Sequence, residues 1–194
     1  MFDGCSGRWH AFAAVLFACS VAGTSYAFGI FSEIFKDRLG FSQVDLSLIG
    51  SLGSTGLYTG VLCGLAIEAT GPKTVMLVGA LLMALGNLYI WLAVQKLVIH
   101  SVPVVAVVNF FAQVGVACSS STVTTVGIRI FPSEVRGQVA GIAKAYFGVA
   151  AAVLATIAAA FFHTESTDFI LFVAIMLPVS QVLGALNVSP SPHL

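Results

Sequence analysis

Residues 130–148 read IFPSEVRGQVAGIAKAYFG. A short charged loop, residues 131–137, joins two long apolar segments. Pro132 stops the first of them, because its ring fixes φ and it has no N–H to donate. Glu134 and Arg136 hold the loop in water. Lys144 then sits about two turns inside the next apolar segment. An ionisable group at that depth in a membrane is costly and marks a candidate functional site. The fold follows from what such a loop can connect: two helices that both cross a bilayer.

Composition bounds the class. The chain has 194 residues, 58% hydrophobic and 8% charged, with mean hydropathy +1.02. Soluble domains carry roughly 25% charged residues, so this chain cannot cover a globular surface. It reads as an all-α integral membrane protein whose first partner is the lipid bilayer. Zero net charge implies no nucleic-acid partner. The four cysteines, Cys5, Cys19, Cys63 and Cys118, show no CxxC or Cys/His spacing. They read as small buried hydrophobes, with neither metal site nor disulfide framework. Nineteen glycines fit closely packed membrane helices. No HExxH, GxSxG or Walker loop is present, and no carboxylate pair lies within the apolar runs. The expectation is therefore no enzyme, no catalytic residues and no cofactor.

A spanning helix needs roughly 20 apolar residues. Six segments qualify, at about 9–31, 46–67, 74–94, 102–128, 139–162 and 169–186. Their connectors centre on 33–45, 68–73, 95–101, 129–138 and 163–168. Residues 1–189 then form one six-helix bundle, and 190–194 a polar tail or the start of a central linker. Arg8, the apolar run from Ala11 and the Ser25-Tyr26-Ala27 triplet resemble a signal peptide. Hydrophobicity continues through Phe31, however, so an uncleaved first span is the better reading. With six spans both termini share a side. That side carries Arg8, Lys73, Arg129 and Arg136 against Lys36, Arg38 and Lys96 opposite. Lys/Arg asymmetry places both termini in the cytosol. Gly56, Gly60 and Gly64 repeat every four residues and predict a close helix–helix face. Trp9, Tyr89 and Trp91 read as interfacial anchors.

The connector at 64–73, GLAIEATGPK, carries a resemblance. It is similar to the major facilitator superfamily motif Gly-x-Leu-Ala-Asp-Arg-x-Gly-Arg-Lys, at the place where that superfamily carries it. Gly64 allows close approach. Glu68 stands for the motif's acid, which can pair with a cation or cap a helix N-terminus. Gly71 permits the turn, and Lys73 supplies cytosolic charge. Ala69 stands where the motif has arginine. Phe131-Pro132 with Arg136-Gly137 resembles the superfamily's fourth-to-fifth-helix loop. More narrowly, the chain resembles the Nodulin-like family. The residues that carry this are Arg8-Trp9, 26–32 (YAFGIFS), 39–43 (LGFSQ), Arg136-Gly137 and 141–148 (GIAKAYFG). Residues 53–56 depart, with GSTG where plant relatives carry a Lys-Asp pair. The resemblance implies one six-helix half of a major-facilitator-type bundle, built from 3+3 inverted repeats. The partner closing its cavity would be a second six-helix half or a second copy in a homodimer.

Candidate solute-binding residues follow. Lys144 either faces an anionic solute or snorkels to the headgroups. Asn109 and Gln113, one turn apart, share a face. Tyr26, Tyr58 and Thr24 are further cavity candidates. Ser119, Ser120, Ser121, Thr122, Thr124 and Thr125 can bond their own helix's carbonyls or a neighbouring helix. Gly64, Glu68, Gly71, Lys73, Arg129 and Arg136 form the expected gating and loop set. The expected function is secondary transport of a small solute, an organic anion, by alternating access. The competing reading is a truncated or vestigial half acting as a non-transporting membrane subunit through the Gly56–Gly60–Gly64 face. A channel is disfavoured by the lack of a charged ring or filter.

Overall fold

The computed structural model describes residues 28–162 and 167–187, together with Phe12, Ala13, Leu16, Phe17 and Gly23. Every regular element among the described residues is helical. In chain order they are α1 (Phe28–Leu39), α2 (Gln43–Tyr58), α3 (Gly60–Thr70), α4 (Pro72–Val94), α5 (Val102–Ile130), α6 (Arg136–Phe161) and α7 (Asp168–Asn187). A 3-10 turn, Ser133–Val135, precedes α6. Five helical stretches are long and apolar enough to cross a bilayer: Gln43–Thr70, Pro72–Val94, Val102–Ile130, Ser133–Phe161 and Asp168–Leu186. The chain is a multi-pass membrane protein. The first expected span, 9–31, lies mostly outside the described residues. So do Tyr26, Thr24, Trp9 and the tail at 190–194.

Local chemistry sets the helix ends. Gly40 at φ 69 ends α1 in the left-handed region. Ser42 then caps α2 in a reciprocal box. Its backbone N–H donates to Asp45 Oδ2 at 2.9 Å, and Asp45 N–H donates to Ser42 Oγ at 3.3 Å. Gly71 at φ 87 is the sole residue between α3 and α4, and Pro72 starts α4 where a missing N–H costs nothing.

Two expectations need correction. The connector expected at 33–45 is largely helix, because α1 runs to Leu39. Phe31, Ile34 and Phe35 fall on one helical face and are buried, which draws Glu33, Lys36, Asp37 and Arg38 into the helix behind them. The second span is also not uninterrupted. At Thr59 the backbone N–H (3.2 Å) and the side-chain hydroxyl (2.7 Å) both donate to the Gly56 carbonyl. This i→i−3 tightening separates α2 from α3.

The hub is α5, which packs on α2, α3, α4 and α6. Its register against α2–α3 is readable from its contacts. Asn109 Nδ2 donates to the Ile49 carbonyl (3.1 Å), Ser121 Oγ to the Gly60 carbonyl (2.9 Å), and Arg129 reaches Glu68 (3.3 Å). Partner numbers rise together, so the two run parallel. Against α4 they run oppositely: Gly79 lies beside Gly115 and Cys118, and Gly86 beside Ala112. A methyl added at Gly86 would sit 2.7 Å from the Ala112 Cβ. Small residues thus let these helices approach, as they do where no hydrophobic force pulls helices together in lipid. Leu62, Leu81, Leu85, Val153 and Ile175 are exposed, and on a spanning bundle such side chains face hydrocarbon.

Candidate functional site

A cleft of ≈ 1130 Å³ opens between α1, α2–α3, α5 and α6. On α2 its wall is Ser47, Ser51, Ser54 and Tyr58, spaced by four, three and four residues, which puts them on one helical face. On α5 it is Asn109, Gln113, Ser120, Ser121, Thr124 and Thr125. From α6 come Lys144 and Phe147, and from α1 Phe28 and Ser32. Lys144 is the one charged side chain among the described residues of the lining, and no carboxylate joins it there.

Lys144 is exposed to the cleft, eight residues after Arg136, or about 12 Å along the axis. Its Nζ lies 4.9 Å from the centroid of the buried Phe147 ring. A cation held over a ring face gains roughly 0.5–2 kcal/mol. The ammonium therefore rests on the cleft wall, and no carboxylate among the described residues is within ion-pair distance of it.

Four hydroxyls of the wall donate their protons to helix carbonyls. Ser47 donates to the Gln43 carbonyl (2.9 Å), Ser54 to Gly50 (2.9 Å), Thr124 to Ser120 (2.9 Å) and Ser121 to Gly60 (2.9 Å). What these groups present to the cleft is oxygen lone pairs. Asn109, buried, uses its Nδ2 on Ile49 and keeps Oδ1 as an acceptor. The cleft thus offers acceptors along α2 and α5 and one cationic donor on α6.

The expected gating set gathers at one end of the bundle, where α3 ends, α4 begins, α5 ends and α6 begins. Glu68 and Arg129 meet there at 3.3 Å. Arg136 Nε donates to the Phe131 carbonyl at 3.3 Å, fastening the loop on which Pro132 ends α5. Lys73 is exposed beside the Gly71 turn. Gly64 behaves otherwise than expected: a Cβ there would meet nothing within 4 Å, because it lines the cleft instead of a helix contact. Close approach falls to Gly56, where an added Cβ would meet the Phe110 carbonyl oxygen, and to Gly60, where one would lie 3.1 Å from Ser121 Oγ.

A family model, Nodulin-like, matches residues 8–194. The chain belongs to the Nodulin-like family. That family is related to the major facilitator superfamily, which agrees with the motif residues at 64–73 and 131–137. Neither the curated proteins nor the solved structures yield a match. Membership gives this Nodulin-like chain a transporter-related membrane function. The structure brings Lys144, Asn109, Gln113 and Tyr58 of this Nodulin-like bundle to one cleft. Ser47, Ser51 and Ser54 join the cleft beyond the residues expected from the sequence, and their helical spacing is the signal for them.

Proposed function

We propose that the chain carries a small organic anion across the membrane by secondary transport, with the cleft as its half of an alternating-access pathway. The observation that carries this is Lys144: a cation with no carboxylate beside it among the described residues of the cleft attracts an anionic group and repels a cation. The acceptor-rich α2 and α5 walls favour an anion that also bears hydroxyl or N–H donors, such as a hydroxy or amino acid. An open cleft bounded on one side needs a second wall, supplied by another six-helix half or a second copy of the chain.

Six spans, a 3+3 inverted arrangement and cytosolic termini belong to the same reading. Two parallel helix pairs support it. Phe12 shares a buried cluster with Val139 near the start of α6, and Gly23 lies beside Ala150 and Ala151 in its middle. Phe12 also meets Phe131 edge to face, with ring centroids 5.4 Å apart. The first segment and α6 therefore advance together, as α2–α3 and α5 do. Such matched crossings are what two inverted three-helix units produce. Glu68, Lys73, Arg129 and Arg136 then form the cytosolic end.

The test is uptake by membrane vesicles from cells expressing the full chain, using isotopically labelled hydroxy acids, amino acids, neutral sugars and organic cations. Saturable uptake of at least one anionic solute supports the reading. Uptake confined to cations or neutral sugars overturns it.

A further inference from the structure

Cys63 and Cys118 stand 55 residues apart in sequence, yet their sulfurs lie 3.1 Å apart, both buried. We propose that these two cysteines are a reversible oxidation site, which closes to a disulfide and ties α3 to α5. A disulfide needs its sulfurs at about 2.05 Å. The remaining gap of roughly 1 Å is within reach of small side-chain rotations. The helices around them are already pinned. Ser121 Oγ holds the Gly60 carbonyl at 2.9 Å, and Arg129 holds Glu68 at 3.3 Å. Ile67, Val75 and Ala117 surround the sulfurs. The described residues bring no third ligand beside them, and a structural zinc site needs four.

The chemistry balances with a small neutral hydroperoxide as oxidant. One sulfur, as thiolate, attacks an oxygen of hydrogen peroxide. The O–O bond breaks, the released hydroxide takes the thiol's proton, and water leaves behind a sulfenic acid. The second sulfur then attacks the first. The S–S bond forms, the S–O bond breaks, and the second thiol's proton leaves with that oxygen as a second water. The sulfur pair loses two electrons and the peroxide gains two. A small dithiol reverses the change by exchange through a mixed disulfide.

The consequence follows from the break at Thr59. Segment α3 carries Gly60, Val61 and Gly64 of the cleft wall and joins α2 through the tightened turn. A cystine fixes that wall on α5, so the cleft cannot change shape there. The readout is covalent and does not depend on which solute the cleft takes.

The experiment exposes native membranes containing the full chain to hydrogen peroxide. The protein is then denatured and alkylated, and its non-reduced peptides are mapped by mass spectrometry. Two of the four thiols should become unreactive, with one peptide pair joined through Cys63 and Cys118, and dithiothreitol should restore both. Oxidation should raise the melting temperature of the wild type and leave Cys63→Ser and Cys118→Ser unshifted. If either variant fails to accumulate, the wild-type map alone decides. Four alkylatable thiols after peroxide, a link through Cys5 or Cys19 instead, or separate sulfinic acids at 63 and 118 would overturn the proposal.

Discussion

Gly56→Ala puts one methyl into the contact between α2 and α5. The added Cβ falls on the Phe110 carbonyl oxygen, with the Gln113 Cβ 3.3 Å away. A backbone oxygen inside a helix cannot rotate aside, so the helices must separate. Overpacking of this kind costs about 1–3 kcal/mol. Alanine returns about 1 kcal/mol of helix propensity, leaving a net loss of about 0–2 kcal/mol. Gly64→Ala is the internal control. It receives the same propensity gain, and its methyl meets nothing within 4 Å. The propensity term cancels in the comparison, so Gly64→Ala should exceed Gly56→Ala by about 1–3 kcal/mol. For a chain of this size that is roughly 2–4 °C of melting temperature per kcal/mol. Thermal unfolding of both purified variants in one mild detergent reads the difference. Equal midpoints, or a higher midpoint for Gly56→Ala, would refute the assignment of close approach to Gly56 instead of Gly64.

Three further outcomes are expected. Glu68 and Arg129 form an exposed pair, so a double-mutant cycle with Glu68→Gln and Arg129→Gln should give a coupling of about 0.2–1 kcal/mol that shrinks in high salt; a larger, salt-insensitive value would make the pair a structural clamp. Gln181 is fully buried, and neither amide atom has a hydrogen-bond partner among the described residues. Gln181→Leu removes both unmet groups at similar volume and should leave stability unchanged or raise it by up to about 1–3 kcal/mol, whereas a clear drop in melting temperature would mean the amide is bonded. Asn109→Ala loses the bond to the Ile49 carbonyl, and such bonds in membrane helices average around 0.6 kcal/mol; a loss of several kcal/mol would show that the amide holds more than one helix.

Run length made the membrane class readable, because each lipid-crossing helix must satisfy its backbone internally over a fixed thickness. The loops at 64–73 and 131–137 were readable because Gly71, Pro72 and Pro132 punctuate helices for local reasons. Lys144, Asn109, Gln113 and Tyr58 were legible as cleft residues because polar groups in apolar runs have few places to go. Other features depend on partners distant in sequence. The break at Thr59 turns on which carbonyl its hydroxyl takes, and hydropathy is blind to that choice. Gly64 lies on the cleft face that runs through Ser54, Tyr58 and Val61, while Gly56 sits against Phe110 of α5. The helix through Leu39 was hidden because its charges mask the buried Phe31, Ile34 and Phe35 stripe. The meeting of Cys63 with Cys118 requires the parallel register of α3 on α5, which no local pattern contains.

The central claim rests on the positive charge at residue 144, and a charge series tests it most directly. Uptake of an anion carried by the wild type should be compared in vesicles bearing Lys144→Arg, Lys144→Gln and Lys144→Glu, at equal protein level. Losing an ionic hydrogen bond to the solute costs about 1.5–3 kcal/mol, or roughly 10-fold to 100-fold in uptake at low solute concentration. The account predicts that arginine retains most uptake, glutamine loses it by that factor and glutamate abolishes it. Undiminished anion uptake by Lys144→Gln and Lys144→Glu would contradict it.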